Sequence, residues 1–121
     1  MPKYTVKVAG SEKLERKLKQ LPEHMQEGLR TAVRDSAKAI RADARTRVPV
    51  DSGDLRKSIK FRTAKGGLSA TIRVDEFYGR FVEFGTTSQA AQPFLGPAAQ
   101  AERTRFPGRI SDDVRKALGL R

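Results

Sequence analysis

An α+β fold, a long amphipathic helix packed on a small antiparallel β-sheet with a C-terminal helical segment, is what this 121-residue chain predicts. Three observations carry that expectation. Between Glu23 and Val48 apolar residues recur at spacings of three and four, and between Ser58 and Val74 two alternating runs flank a glycine pair. A further helix-forming run follows Pro97. A two-stranded ribbon alone is marginal in water, so the ribbon and the helix are expected to cover each other's apolar faces. A chain of this length is expected to form a single domain with one modest core, burying somewhat under about 70% of its unfolded surface.

The elements follow in order. Tyr4, Val6 and Val8 alternate with Thr5 and Lys7, as a short half-buried strand does, and Gly10 ends the run. Ser11 is a plausible N-cap with Glu12 in the first turn, and Leu14, Leu18 and Leu21 then repeat at helical spacing, which predicts a short helix to about Leu21. Pro22 breaks that helix or opens the next.

The clearest pattern is the stripe of Leu29, Val33, Ala37, Ile40, Ala44 and Val48. Arg30, Arg34, Lys38, Arg41 and Arg45 are assigned to the opposite side as a candidate basic face. A charge run on a helix is usually just a solvated surface; the functional alternative is a rail of positive charge. His24 lies in the first turn with no partner at ligand spacing, so it reads as a surface histidine.

Pro49 stops the long helix, and Asp51, Ser52 and Gly53 form a turn into a short helical stretch over Asp54 to Lys57. Asp51 and Asp54 have no third acidic neighbour, so a cation site is not expected there. Ile59, Phe61 and Thr63 then share one side of a strand against Lys60 and Arg62. Beyond Gly66-Gly67, Leu68, Ala70, Ile72 and Val74 line one side of a second strand, which predicts a hairpin closed at the glycines.

Tyr78 to Pro97 concentrates three of the six phenylalanines without a helical period. Phe81-Val82-Glu83-Phe84 reads as a turn of helix running into a third strand, and proline-bracketed Phe94-Leu95 as an anchor at a helix start. After Pro97 a helix is expected until Phe106-Pro107-Gly108 interrupts it, with Ser111 capping a last helix that carries Val114 and Leu118.

Composition limits the function classes. Twenty-five Lys and Arg against 14 Asp and Glu give a net charge of +11, but the basic residues are spread along the chain, which argues against specific nucleic-acid recognition and for a solvated surface facing an acidic partner or passing DNA. No apolar run approaches the roughly 20 residues of a membrane span, and MPKYTVKV has no apolar signal region, so a soluble protein made in a cytoplasm is expected. The absence of cysteine removes disulfides, thiolate metal sites and a cysteine nucleophile together. With one histidine, no phosphate loop, no nucleophile elbow and no His-Glu-x-x-His, neither catalysis nor a cofactor is expected. Glu83, set between two phenylalanines, has a raised pKa and an acid role as one reading; an ion pair with a basic side chain is the plainer one.

With those residues laid out, a resemblance emerges. Val48-Pro49-Val50-Asp51-Ser52-Gly53, with Leu55, Ser58 and Ile59, followed after the hairpin by YGRFVEFGT over Tyr78 to Thr86 and by Gln92 to Ala98, resembles the gene-product-ten family of phage HK-ninety-seven, small neck and tail-completion proteins of tailed phages and prophages. The likeness covers roughly residues 25 to 105. It implies an α+β virion component at the head–tail junction that acts by assembly rather than catalysis, contacting other copies of itself in a ring and neighbouring connector or tail proteins, with no membrane partner. On that reading Tyr78, Phe81, Glu83, Phe84, Phe94 and Leu95 are the candidate assembly residues: the phenylalanines and Leu95 divide between core and subunit contact, and Glu83 pairs with a basic residue of the same or a neighbouring chain. Family members more often continue one helix to the end, so Phe106-Pro107-Gly108 departs from the pattern. The competing reading is a basic DNA-binding protein, which would show strong duplex affinity falling steeply with salt.

Overall fold

The structure, a computed structural model, describes residues 5–8, 16–17, 19–49 and 53–119. Strand β1 spans Thr5–Val8, helix α1 Glu23–Arg47, the short helix α2 Gly53–Lys57, and strand β2 Ile59–Ala64. A 3-10 turn over Lys65–Gly67 leads to strand β3, Ser69–Val74. Helix α3 covers Gly79–Phe84 and helix α4 Leu95–Ala117. The expected helix from Ser11 to Leu21 falls largely outside the described residues; 16–17 and 19 within it are helical.

The sheet is antiparallel with order β1-β3-β2. Phe61 stands opposite Ile72 and Thr63 opposite Ala70 across the hairpin, while Val6 meets Ile72 from the other side. The third strand is therefore β1 at the start of the chain. The strand expected after Phe84 does not form: residues 85–93 carry no strand hydrogen bonding, and the sheet takes its third strand from β1 instead.

Helix α1 lies across the sheet with the expected stripe buried. Val33, Ala37, Ile40, Ala44 and Val48 join Leu55, Ile59, Ala70, Ile72, Val74, Phe94, Leu95 and Ala98 in one core. Burial of each large aliphatic or aromatic side chain in it contributes roughly 1.5–3 kcal/mol. The helix ends where Val48 turns extended at ψ 139°, as the residue before a proline must.

One feature of α1 was not visible as hydrophobicity. Gly28, Ala32 and Ser36 form a second buried line, and along it α4 packs antiparallel on α1. A Cβ at Gly28 would come within 2.8 Å of the Val114 backbone, so the helices meet there at a distance that only glycine permits.

That close approach explains the largest departure from expectation. Helix α4 does not break at Phe106-Pro107-Gly108, and Ser111 caps nothing: the helix runs through both with Pro107 inside it. An interior proline removes one backbone donor and costs about 3 kcal/mol. Here Pro107 and Gly108 are exposed, as is Arg103, whose carbonyl is left without that donor, so water can satisfy it. On the packed side, Arg109 donates to Glu102 across the proline from both Nε and Nη2, and Val114 is held on α1. Tertiary packing on both sides of Pro107 thus outweighs its local penalty.

Candidate assembly surface

Helix α3 and the start of α4 are joined by one side chain. The Glu83 carboxylate is 5% exposed, and its Oε1 accepts the backbone N–H of Phe94 at 3.1 Å and of Leu95 at 2.8 Å. Its Oε2 accepts the N–H of Gly96 at 3.0 Å. The first amides of a helix have no partner within it, and α4 has no capping side chain at Phe94; Glu83 supplies the acceptors from another helix and places a negative charge at the positive end of the dipole. The sequence predicts an ion pair for Glu83 and carries no sign of this capping role, which binds three backbone amides.

The intervening segment is tied at both ends. Gly85 donates to the Phe81 carbonyl at 2.8 Å with φ 77° and ψ 173°, a conformation essentially confined to glycine. Gln92 donates to the Val82 carbonyl at 2.7 Å, and a turn between Thr86 and Gln89 closes the tip. Residues 86–93 are all exposed, so they form a projecting loop on a fixed base.

The structure divides the aromatic candidates. Phe94 and Leu95 have no accessible surface and belong to the core, with Tyr78 and Val82 packed against it. Phe81 is 41% and Phe84 68% exposed, and with Arg80 and Gly85 they line an open cavity of about 210 Å³. Exposed Phe77 meets Tyr78 edge to face with centroids 5.8 Å apart. Partial burial, then the charges of Glu76 and Asp54, raise the Tyr78 hydroxyl above its ordinary value, opposed by a hydrogen bond with the Leu55 backbone. The sequence reading passed over Phe77 and Arg80; the signal available for both was their adjacency to the Tyr78 to Phe84 motif.

The basic candidates are not one rail. The stripe of Arg30, Arg34, Lys38, Arg41 and Arg45 follows the apolar stripe one residue on, and so lies beside it rather than opposite. Three of the five reach the hairpin or the turn before it. Arg30 lies over Gly67 and pairs with Glu23; Arg41 stacks on the Phe61 ring at 4.7 Å; Arg45 donates to the carbonyls of Arg56 at 3.2 Å and Ile59 at 2.9 Å. Burial first, then the charge of Arg41, lowers the Arg45 guanidinium from its usual value. Arg34 and Lys38 stay exposed.

Among the described residues no three His, Asp or Glu side chains come together as a metal site. No helix there is long and apolar enough to cross a membrane. The ion pair between Glu102 and Arg109 is structural: Glu102 is 3% exposed at its side chain and raises the Arg109 guanidinium above its usual value, chiefly through their hydrogen bond.

Residues 12–85 match the family model described as "Bacteriophage HK97-gp10, putative tail-component". No curated protein and no solved structure matches the chain. The matched range takes in α1, the hairpin, and α3 to its terminal Gly85, and stops before the Phe94 anchor.

Proposed function

Because the chain belongs to the bacteriophage HK97-gp10 family of tail components, we propose that it is a non-enzymatic structural subunit of a tailed phage or prophage, acting at the head–tail junction in neck assembly or tail completion. The observation that supports this most is the pair Phe81 and Phe84, held outward on a turn of helix that Glu83 clamps to the core. Large apolar side chains mounted on a rigid base in a small concavity are what an assembly contact requires, and truncating such anchors removes most of an interface's energy.

Net charge favours contact through such a patch. Each copy carries +11, so free copies repel one another, and closing a ring depends on short-range apolar contact rather than on general attraction. In this reading Phe81 and Phe84 meet a neighbouring copy or an adjoining connector or tail protein in the virion, and Phe94 and Leu95 hold the patch in place from inside.

The test is complementation of a phage lacking the gene with Phe81→Ser and Phe84→Ser, singly and together. Both residues are exposed, so thermal unfolding should shift by no more than about 0.5 kcal/mol in free energy. The double variant should yield heads and tails that fail to join, with loss of the subunit from particles. Normal yields of infectious particles from a well-folded double variant would overturn the reading.

A further inference from the structure

One run of positive charge lies away from α1, around the hairpin. From Leu55 to Val74 the sequence contains Arg56, Lys57, Lys60, Arg62, Lys65 and Arg73 and no acidic residue. Pleating puts Lys60 and Arg62 on the same side of β2, opposite to the side where Ile59 and Phe61 turn toward the core. Register then builds two ranks across three strands: Lys60, Arg73 and Thr5 in one, Arg62, Thr71 and Lys7 in the other. Adjacent positions within a rank are about 4.8 Å apart.

This face carries a cost that folding does not explain. Lys60 and Arg73 stand directly opposite each other, and like charges so placed destabilise a sheet. Asp75 offsets part of this, at 3.7 Å from Lys60 Nζ and 2.9 Å from Arg73 Nε, the latter an ionic contact out of line for a hydrogen bond. One carboxylate against two cations leaves the rank positive, and Arg62 adds to it. The side chains are open to solvent: Lys60 is 56% and Arg73 43% exposed, and Arg62 is exposed too.

We infer that this outer face of the sheet is a contact surface for the phosphate backbone of duplex DNA. Lys, Arg and Thr are the side chains that bind phosphate oxygens, and Lys60, Arg62, Thr71 and Arg73 stand side by side on this face of β2 and β3. Among the described residues of the two ranks there is no apolar anchor of the kind a protein interface centres on; those lie at Phe81 and Phe84. Nor does an aromatic ring stand in either rank, and single strands are held by bases stacked on such rings. A ligand that presents only phosphates to a flat basic surface is the double helix, bound without regard to sequence.

The experiment is fluorescence anisotropy of the full chain with a labelled duplex of about 30 base pairs and mixed sequence, across a sodium chloride series. Lys60→Thr with Arg62→Thr removes two cations and keeps residues that suit a strand. Removing one cation that neutralises a phosphate should flatten the slope of log affinity against log salt by about 0.9, so the pair should flatten it by about 1.8. The drop in affinity between about 50 and 200 mM salt should then shrink roughly tenfold relative to the natural chain. Arg34→Thr with Lys38→Thr, also exposed but on α1, should leave the slope unchanged. Thermal unfolding establishes that both pairs fold, and should the first not, Lys60→Gln with Arg62→Gln replaces it. No duplex binding by the natural chain at low salt, equal effects of the two pairs, or competition by polyglutamate or single strands as effective as by duplex would overturn the inference. Because it uses a surface other than Phe81 and Phe84, its failure leaves the tail-subunit reading standing.

Discussion

Phe84 and Phe94 lie on either side of one exposed loop, yet the first keeps 68% of its surface in water and the second none. Both belong to a short aromatic turn with a glycine close by, and no hydropathy scale separates them. What separates them is the neighbour each turn packs on. Phe94 and Leu95 open α4, whose long packing against α1 carries them into the core. Phe81 and Phe84 belong to a six-residue helix attached largely through the opposite residues, Gly79, Val82 and Glu83. Similar composition thus serves two ends: one turn supplies stability, the other a surface.

Phe94 is where the difference between the two turns should weigh most on stability. Phe94→Ala should destabilise the fold by about 3–5 kcal/mol in denaturant unfolding, because the ring is wholly enclosed and the site cannot collapse around it. An effect no larger than that of Phe84→Ala would show that the two turns are not different after all.

Glu83 sharpens the contrast, since it belongs to the exposed turn and acts on the buried one. Glu83→Ala leaves the amides of Phe94, Leu95 and Gly96 without their acceptor and should cost about 2–4 kcal/mol. Glu83→Gln retains one acceptor oxygen and removes the charge, so about half that cost is expected. Equal stability of all three chains would mean that the cap is energetically idle.

The smallest effect concerns Tyr78, at the base of the exposed turn. Its pKa is raised in the folded state, so its contribution to stability is complete below the ordinary tyrosine value of about 10 and is lost as pH rises through the higher folded value. In a Tyr4→Phe background, absorbance titration should show Tyr78 ionising later than a free tyrosine, with unfolding free energy declining above about pH 10. Ionisation at or below the free value would place the base of this turn in open water.

Much of the frame was legible because it is written in apolar period. The stripe from Leu29 to Val48 and the alternation through Phe61 and Ile72 each state their own face, and the structure buries those faces against each other. The line of Gly28, Ala32 and Ser36 was not legible, since small residues mark a close helix approach by what they lack. For the same reason Pro107 read as a break: the packing that carries α4 past it comes from α1 and from Glu102 with Arg109, none of which is local to the proline. Glu83 was found by its motif, but its work on amides eleven residues away and more could not be seen without the fold. The basic stripe on α1 was read from spacing alone; the hairpin then engaged Arg30, Arg41 and Arg45.

The carboxylate that joins α3 to α4 also sets an order of events. A helix of six residues is too short to persist in water by itself, and the first turn of α4 lacks a cap until α3 brings Glu83 to it. Each turn therefore forms with the other, and both form on a docked Phe94. A chain that has not completed its core cannot hold Phe81 and Phe84 in their outward arrangement, so under the proposed assembly role readiness to join a neighbour is a report that folding is finished.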